Sequence, residues 1–164
     1  MRGQILQLLA KNSKMTAEEI ARQIEDVEGV TPEEVAKEIK YMEDSRVICG
    51  YNTLINWDNT DRELVTALIE VKVTPQRGDG YDKIAERIYR FEEVKAVYLM
   101  SGGFDLTVIL EGKSLKEIAF FVSDKLATID QVTSTATHFV LKNYKDHNIV
   151  IERGTKVDRR MMLS

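Results

Sequence analysis

The sequence predicts an α+β chain in two parts, and two patterns carry that prediction. Across residues 1 to 57 apolar residues recur three and four apart in three short runs, and a β-prone stretch with an internal glycine follows. From residue 64 onward, strand-like alternation appears four times and is broken twice by runs of helical period, in the order β-α-β-β-α-β. The first pattern spells a winged helix-turn-helix over residues 1 to 57. The second spells a ferredoxin-like split βαβ domain over residues 64 to 150, with a linker at 58 to 63 and a tail at 151 to 164.

Ile5, Leu8 and Leu9 give a helix over residues 2 to 11 one apolar face, and the polar run Lys11-Asn12-Ser13-Lys14 ends it. Thr16 and Glu19 have the spacing of a capping box, which predicts a second helix from about Ala17 to Ile24. Thr31-Pro32-Glu33-Glu34 combines an N-cap, a proline at the first helical position and a second capping box. Val35, Ile39 and Met42 then keep a third helix amphipathic to about Ser45. Val47 to Trp57, VICGYNTLINW, reads as a strand, a bend and a return strand, which is the wing.

Asp58 to Glu63, DNTDRE, is polar and precedes a change of period, so it is the linker. Val65, Ala67, Ile69, Val71 and Val73 alternate along a strand that Thr74-Pro75 ends. Gly78-Asp79-Gly80 makes a loop, and Ile84, Ala85, Ile88 and Phe91 mark a helix. Val94 to Glu111 is an antiparallel hairpin in which Ser101-Gly102-Gly103 supplies the positive φ angles of a tight turn. Beyond that turn Phe104, Leu106, Val108 and Leu110 alternate with Asp105, Thr107, Ile109 and Glu111. Ser114 and Glu117 form a third box before the helix of Leu115, Ile118, Ala119, Val122 and Leu126, and residues 132 to 142 are the last strand. One sheet face packs on the two helices. The other still bears Tyr98, Met100 and Ile109, which predicts burial against a further copy.

Composition narrows the function. A net charge of −4 argues against a generally basic binder of nucleic acid or membrane, and the acidity is all in the first third, where residues 1 to 60 hold 7 Lys/Arg against 11 Asp/Glu. The predicted third helix itself carries Glu33, Glu34, Glu38, Glu43 and Asp44 against Lys37, Lys40 and Arg46, whereas phosphate contact rewards cations. The lone cysteine, Cys49, excludes an internal disulfide and fits a reducing cytosol; it is expected to be a small buried hydrophobe. The early apolar run ILQLLA is too short for a signal peptide or a membrane span, so a soluble cytoplasmic protein is expected. His138 and His147 are paired with no nucleophile, and the sequence has no P-loop, no dinucleotide fingerprint and no metal-ligand cluster. The expectation is no enzyme, no metal and no cofactor. Trp57 is expected to anchor the linker, and Arg153 to Ser164 to be a mobile end.

The hairpin mouth is the candidate small-molecule site. Asp105 can accept from the ammonium of an amino acid, or it can cap the Gly102-Gly103 turn, as aspartate often does. Gly102 and Gly103, which follow Ser101 in the candidate ligand loop, leave their amides approachable by a carboxylate, and Thr135 and Thr137 share one face of the last strand and can line the same wall.

Three places resemble the Lrp/AsnC family, the leucine-responsive and asparagine-synthesis regulators of bacteria and archaea. They are Val35 to Tyr51, with its Met42-Glu43 pair and the V-I-x-G-Y of Val47, Ile48, Gly50 and Tyr51; the Gly-x-x-Asp of Gly102 to Asp105; and the T-x-T of Thr135 and Thr137. The resemblance spans almost the whole chain. It implies a winged helix-turn-helix on double-stranded DNA, joined to a RAM/ACT-like effector domain that senses amino acids. It also implies a dimer that assembles to an octamer or a related ring, with effector sites between subunits. Glu38 stands where the family usually has arginine, Arg46 where it has glycine, and Glu25 to Glu28 lengthen the turn between the second and third helices.

Two functions follow. In the first, the chain is an amino-acid-responsive regulator in which Thr31, Lys37, Lys40 and Tyr41 contact DNA. In the second, it is a non-enzymatic ligand sensor or co-assembly protein whose acidic helix-turn-helix binds DNA weakly or not at all.

Overall fold

The computed structural model describes residues 1–24, 29–76, 78 and 80–151, which divide between Leu54 and Ile55 into two compact units. The expected insertion Glu25 to Glu28, Asp79 of the expected loop and the tail from Arg153 lie outside the described residues.

The first unit contains α1 (Arg2–Lys11), α2 (Ala17–Ala21) and α3 (Pro32–Asp44). Both of its capping boxes form. The Thr16 hydroxyl accepts from the Glu19 N–H at 3.2 Å while Glu19 Oε2 accepts from the Thr16 N–H at 2.9 Å. Thr31 and Glu34 repeat this at 3.2 and 3.0 Å. α2 stops at Ala21, short of the expected Ile24, because the chain tightens there into a turn in which Gln23 N–H donates to Ile20 O. Ile5, Leu9, Ile20, Ile24, Val35 and Met42 nonetheless close one core.

The expected wing is not formed. Among the described residues none from Ser45 to Asn56 lies in a strand, and Val47, Tyr51 and Ile55 are exposed. Residues of this type favour strands only where a pleated neighbour packs on them, and an isolated two-stranded hairpin is marginal in water. Cys49 is therefore exposed rather than buried. Trp57 opens a 3-10 turn (Trp57–Asn59), with the Arg62 guanidinium 4.8 Å above its ring.

The second unit follows the expected order: β1 (Val65–Val73), α4 (Tyr81–Tyr89), β2 (Val94–Leu99), β3 (Leu106–Gly112), α5 (Leu115–Phe121) and β4 (Val132–Phe139). Their sheet runs β2-β3-β1-β4, antiparallel throughout, which is the ferredoxin-like arrangement. Ala67, Ile69 and Val71 of β1 and Leu106, Val108 and Leu110 of β3 pack on Ile84, Ile88, Ile118 and Phe121 of the helices. Fully burying one such isoleucine is worth about 1.5–3 kcal/mol, so two helices suffice to fix this face. The third box is half formed: Ser114 Oγ accepts from Glu117 N–H, but Glu117 Oε2 reaches the Lys113 N–H at 2.6 Å instead of closing on Ser114. α5 widens at its end into a π turn (Val122–Leu126), marked by Ala127 N–H donating to Val122 O.

A short hairpin of β5 (Lys145–Asp146) and β6 (Ile149–Val150), unforeseen in the sequence, turns through His147 and Asn148, both at positive φ. Around it Leu141, Tyr144, Ile149 and Val150 are exposed.

Candidate functional site

In the first unit the candidate site is the outward side of α3. Val35, Ile39 and Met42 set its packed side, and at about 100° per residue Glu33, Lys37, Lys40, Tyr41 and Asp44 fall opposite, all of them exposed. Lys37 has no ion pair among the described residues, whereas Lys40 reaches Asp44 at 3.4 Å. Thr31, the first of the predicted DNA contacts, has its hydroxyl committed to the cap. The acids of this helix are mostly engaged within the fold. Glu34 closes the capping box, Glu38 pairs with Arg2, and Glu43 accepts from the Tyr51 hydroxyl at 2.8 Å. Burial, and then that bond, raise the Tyr51 pKa. The five-to-three excess of acids seen in the sequence thus overstates the negative charge free to repel a phosphate.

In the second unit the candidate site is the connection between β2 and β3. It is wider than the tight turn expected. Met100 N–H donates to Asp105 O at 2.8 Å and closes a loop of Ser101, Gly102, Gly103 and Phe104. Gly102 takes φ +138°, and the space where a side chain would stand at Gly102 or Gly103 is open, so no side chain at either position shields the loop backbone. Asp105 does not cap the Gly102-Gly103 turn. Its Oδ2 accepts from the Val73 N–H at 2.9 Å, where the β1–β4 register slips between Lys72 and Val73. Oδ1 has no partner among the described residues.

Thr135 and Thr137 are not brought to this loop. They pair with Val71 and Ile69, and so share the helix-covered side of the sheet. β1 separates them from β3, which places them two strand spacings, about 9–10 Å, from the hairpin strand. His138, which the sequence pairs with no nucleophile, is exposed, and its Nε2 lies 3.6 Å from Glu70 Oε1.

Two features escaped the sequence reading. Arg2 reaches across thirty-six positions to Glu38, and its one local signal is a cation on the first turn of a helix. Thr107, in the middle of the uncovered sheet face beside Tyr98 and Glu70, is 5% exposed with Oγ1 unpartnered among the described residues. Nothing in the alternation of β3 marks it.

Similarity to known proteins agrees with this architecture. The sequence profile of the Lrp/AsnC ligand binding domain matches residues 66–150. An HTH-type transcriptional regulator of Bacillus subtilis, YugG, is 48% identical over 162 residues, spanning 98% of this chain and 95% of its own. The HTH-type transcriptional regulator LrpA of Pyrococcus horikoshii is 27% identical over 141 residues, 86% of this chain and 94% of its own. Among solved structures, a transcriptional regulator of Neisseria meningitidis in complex with L-Met superposes with a TM-score of 0.69 at 23% identity, over 88% of this chain and 90% of that one. AsnC of Escherichia coli gives 0.62 at 24%, over 87% and 90%.

A capped three-helix unit followed by an open-faced ferredoxin-like sheet is the build of a DNA-binding transcriptional regulator with a ligand-binding domain. No helix among the described residues is long and apolar enough to cross a membrane. On a profile match over more than half its length and a relative at 48% identity, the chain belongs to the Lrp/AsnC family.

Proposed function

We propose that this chain regulates transcription by holding duplex DNA on the outward side of α3, and that a free amino acid at the Ser101 to Asp105 loop alters that hold. The observation that carries the DNA half is the engagement of Glu34, Glu38 and Glu43 within the fold while Lys37, Lys40 and Tyr41 face outward. Thr31 contributes by fixing the start of that helix.

The loop supports the effector half by its chemistry: glycine backbone that no side chain shields for a carboxylate, and Asp105 Oδ1 for an ammonium. Thr135 and Thr137, on the far side of β1, join this site only if a second copy supplies them. The reading therefore includes a homo-oligomer, at least a dimer and, by family resemblance, an octamer. The exposed Tyr98, Met100, Leu141, Tyr144 and Ile149 support such self-association.

Selection of a random-sequence duplex library with the full-length chain tests the DNA half. Enrichment of a shared sequence is expected, and none would leave the acidic-head, co-assembly reading in its place. Thermal shift with the twenty amino acids tests the effector half. At least one is expected to raise the melting temperature at millimolar concentration, and no response to any of them would refute it.

A further inference from the structure

The first turn of α1 breaks a helix rule. The partial positive charge at a helix N-terminus disfavours a cation, yet Arg2 is the first residue of α1 and that turn contains no acid. What holds the arginine lies on another helix. Its Nε donates to Glu38 Oε1 in an ion pair, and its guanidinium carbon sits 4.6 Å above the ring of Tyr41. The pair is oriented: the Glu38 side chain is 16% exposed and that of Arg2 is 59% exposed, so the anion points inward and the cation outward. A guanidinium presents five N–H donors in a planar fork, and Glu38 engages the one on Nε, which leaves the four Nη donors unused by Glu38.

We propose that Arg2 is a DNA-contact residue whose Nη groups bind a backbone phosphate beside α3, and that Glu38 is the positioning residue that fixes it against Tyr41. The inference rests on the reading that α3 faces DNA. It reverses the meaning of Glu38. By formal charge Glu38 weakens a DNA surface; by geometry it recruits a cation from α1 to the edge of that surface. Tyr41 then has a second task, since its exposed ring lies under the guanidinium and holds it by a cation–π contact.

The test uses the full-length chain and a fluorescent duplex selected from the random library, titrated at four salt concentrations. Arg2→Ala is expected to weaken binding about tenfold near 0.1 M salt and to flatten the log-log salt slope by about 0.9 per bound chain. Arg2→Lys should keep most of the slope and lose part of the affinity, because an ammonium neither forks nor stacks. Glu38→Ala gives the decisive sign. Removal of an acid should tighten binding by charge alone, whereas loss of the anchor should weaken it. Tighter binding by Glu38→Ala overturns the proposal, as does an Arg2→Ala chain with wild-type affinity and slope. If Arg2→Ala melts early, Arg2→Gln serves instead, with the same loss of slope expected and an unchanged slope counting against the proposal. A wild-type chain that enriches no duplex removes the α3 reading and this inference together, which differs from wild-type binding that Arg2→Ala leaves intact.

Discussion

Arg46→Gly is expected to stabilise the first unit. Arg46 follows the C-cap of α3 at φ +61°, with its N–H on Glu43 O at 3.1 Å and the Ile48 N–H on Met42 O at 2.9 Å. In that left-handed conformation a Cβ crowds the following carbonyl, which costs about 1–2 kcal/mol. Glycine removes the crowding but frees the unfolded chain, which takes back about 0.5–1 kcal/mol. The difference favours glycine by about 0.5–1 kcal/mol. The arginine side chain is exposed and has no ion pair among the described residues, so no contact that stabilises the fold is lost. In a unit of this size about 1 kcal/mol moves the melting temperature by about 4–8 °C, so a rise of about 2–8 °C is expected by scanning calorimetry of the full-length chain. Two compact units call for a fit with two transitions rather than one. Arg46→Ala is the control, because alanine removes the charge and keeps the Cβ, and it should give little gain. A melting temperature unchanged or lowered by glycine, or raised equally by alanine, would refute the argument.

Asp105→Asn should keep the melting temperature near wild type, since one oxygen can still accept from the Val73 N–H, and should abolish the amino-acid thermal shift. Asp105→Ala should also cost about 0.5–1.5 kcal/mol through that lost bond, and a wild-type ligand response in either variant would remove the loop from the effector site. The Lys125 ammonium, 2.6 Å from Glu93, holds the Glu93 carboxyl below its ordinary value of 4.5, chiefly through their hydrogen bond. A depressed carboxyl stabilises the fold above its unfolded pKa and loses that contribution as pH falls through the folded one. The stability gap between wild type and Lys125→Met should therefore be present at neutral pH, at no more than about 1 kcal/mol for so exposed a pair, and should close below pH 4.5 in thermal melts. A gap equal at pH 7 and pH 3 would contradict this. Light scattering should give a mass at least twice the 18.8 kDa of the chain, and a monodisperse monomer would leave the Tyr98 face and the Leu141 to Val150 arm without an explanation.

Short-range chemistry was legible in the sequence. Thr16 with Glu19 and Thr31 with Glu34 lie three residues apart, and a capping box closes within one turn whatever surrounds it. The period of β1 was equally plain, because a strand at the centre of a sheet has its covered side set by both neighbours. The wing failed because Val47 to Trp57 has strand propensity but no partner, and propensity without pairing is not a strand. The candidate ligand loop was found from its glycines, yet the true partner of Asp105 is thirty-two positions away on β1. The separation of Thr135 and Thr137 from that loop follows from strand order, which no run of eight residues encodes. The β5–β6 hairpin had one local sign, Asn148, a residue that tolerates the left-handed region, but His147 beside it gave no matching cue.

The sheet order has a consequence for how the chain is made. β1 leaves the ribosome first among the four strands, yet it lies between β3 and β4, and Ala67 pairs with Phe139, about seventy residues later in the chain. The second unit therefore cannot complete its sheet until nearly all of it has been synthesised, and pairings so distant in sequence are slow to form. The three helices of the first unit rest on contacts within fifty-four residues and can close while β4 is still untranslated. A nascent chain thus holds a folded three-helix unit before it holds a complete sheet, and during that interval the half-built sheet, with β1 bare along one edge, is the part most in need of protection from aggregation.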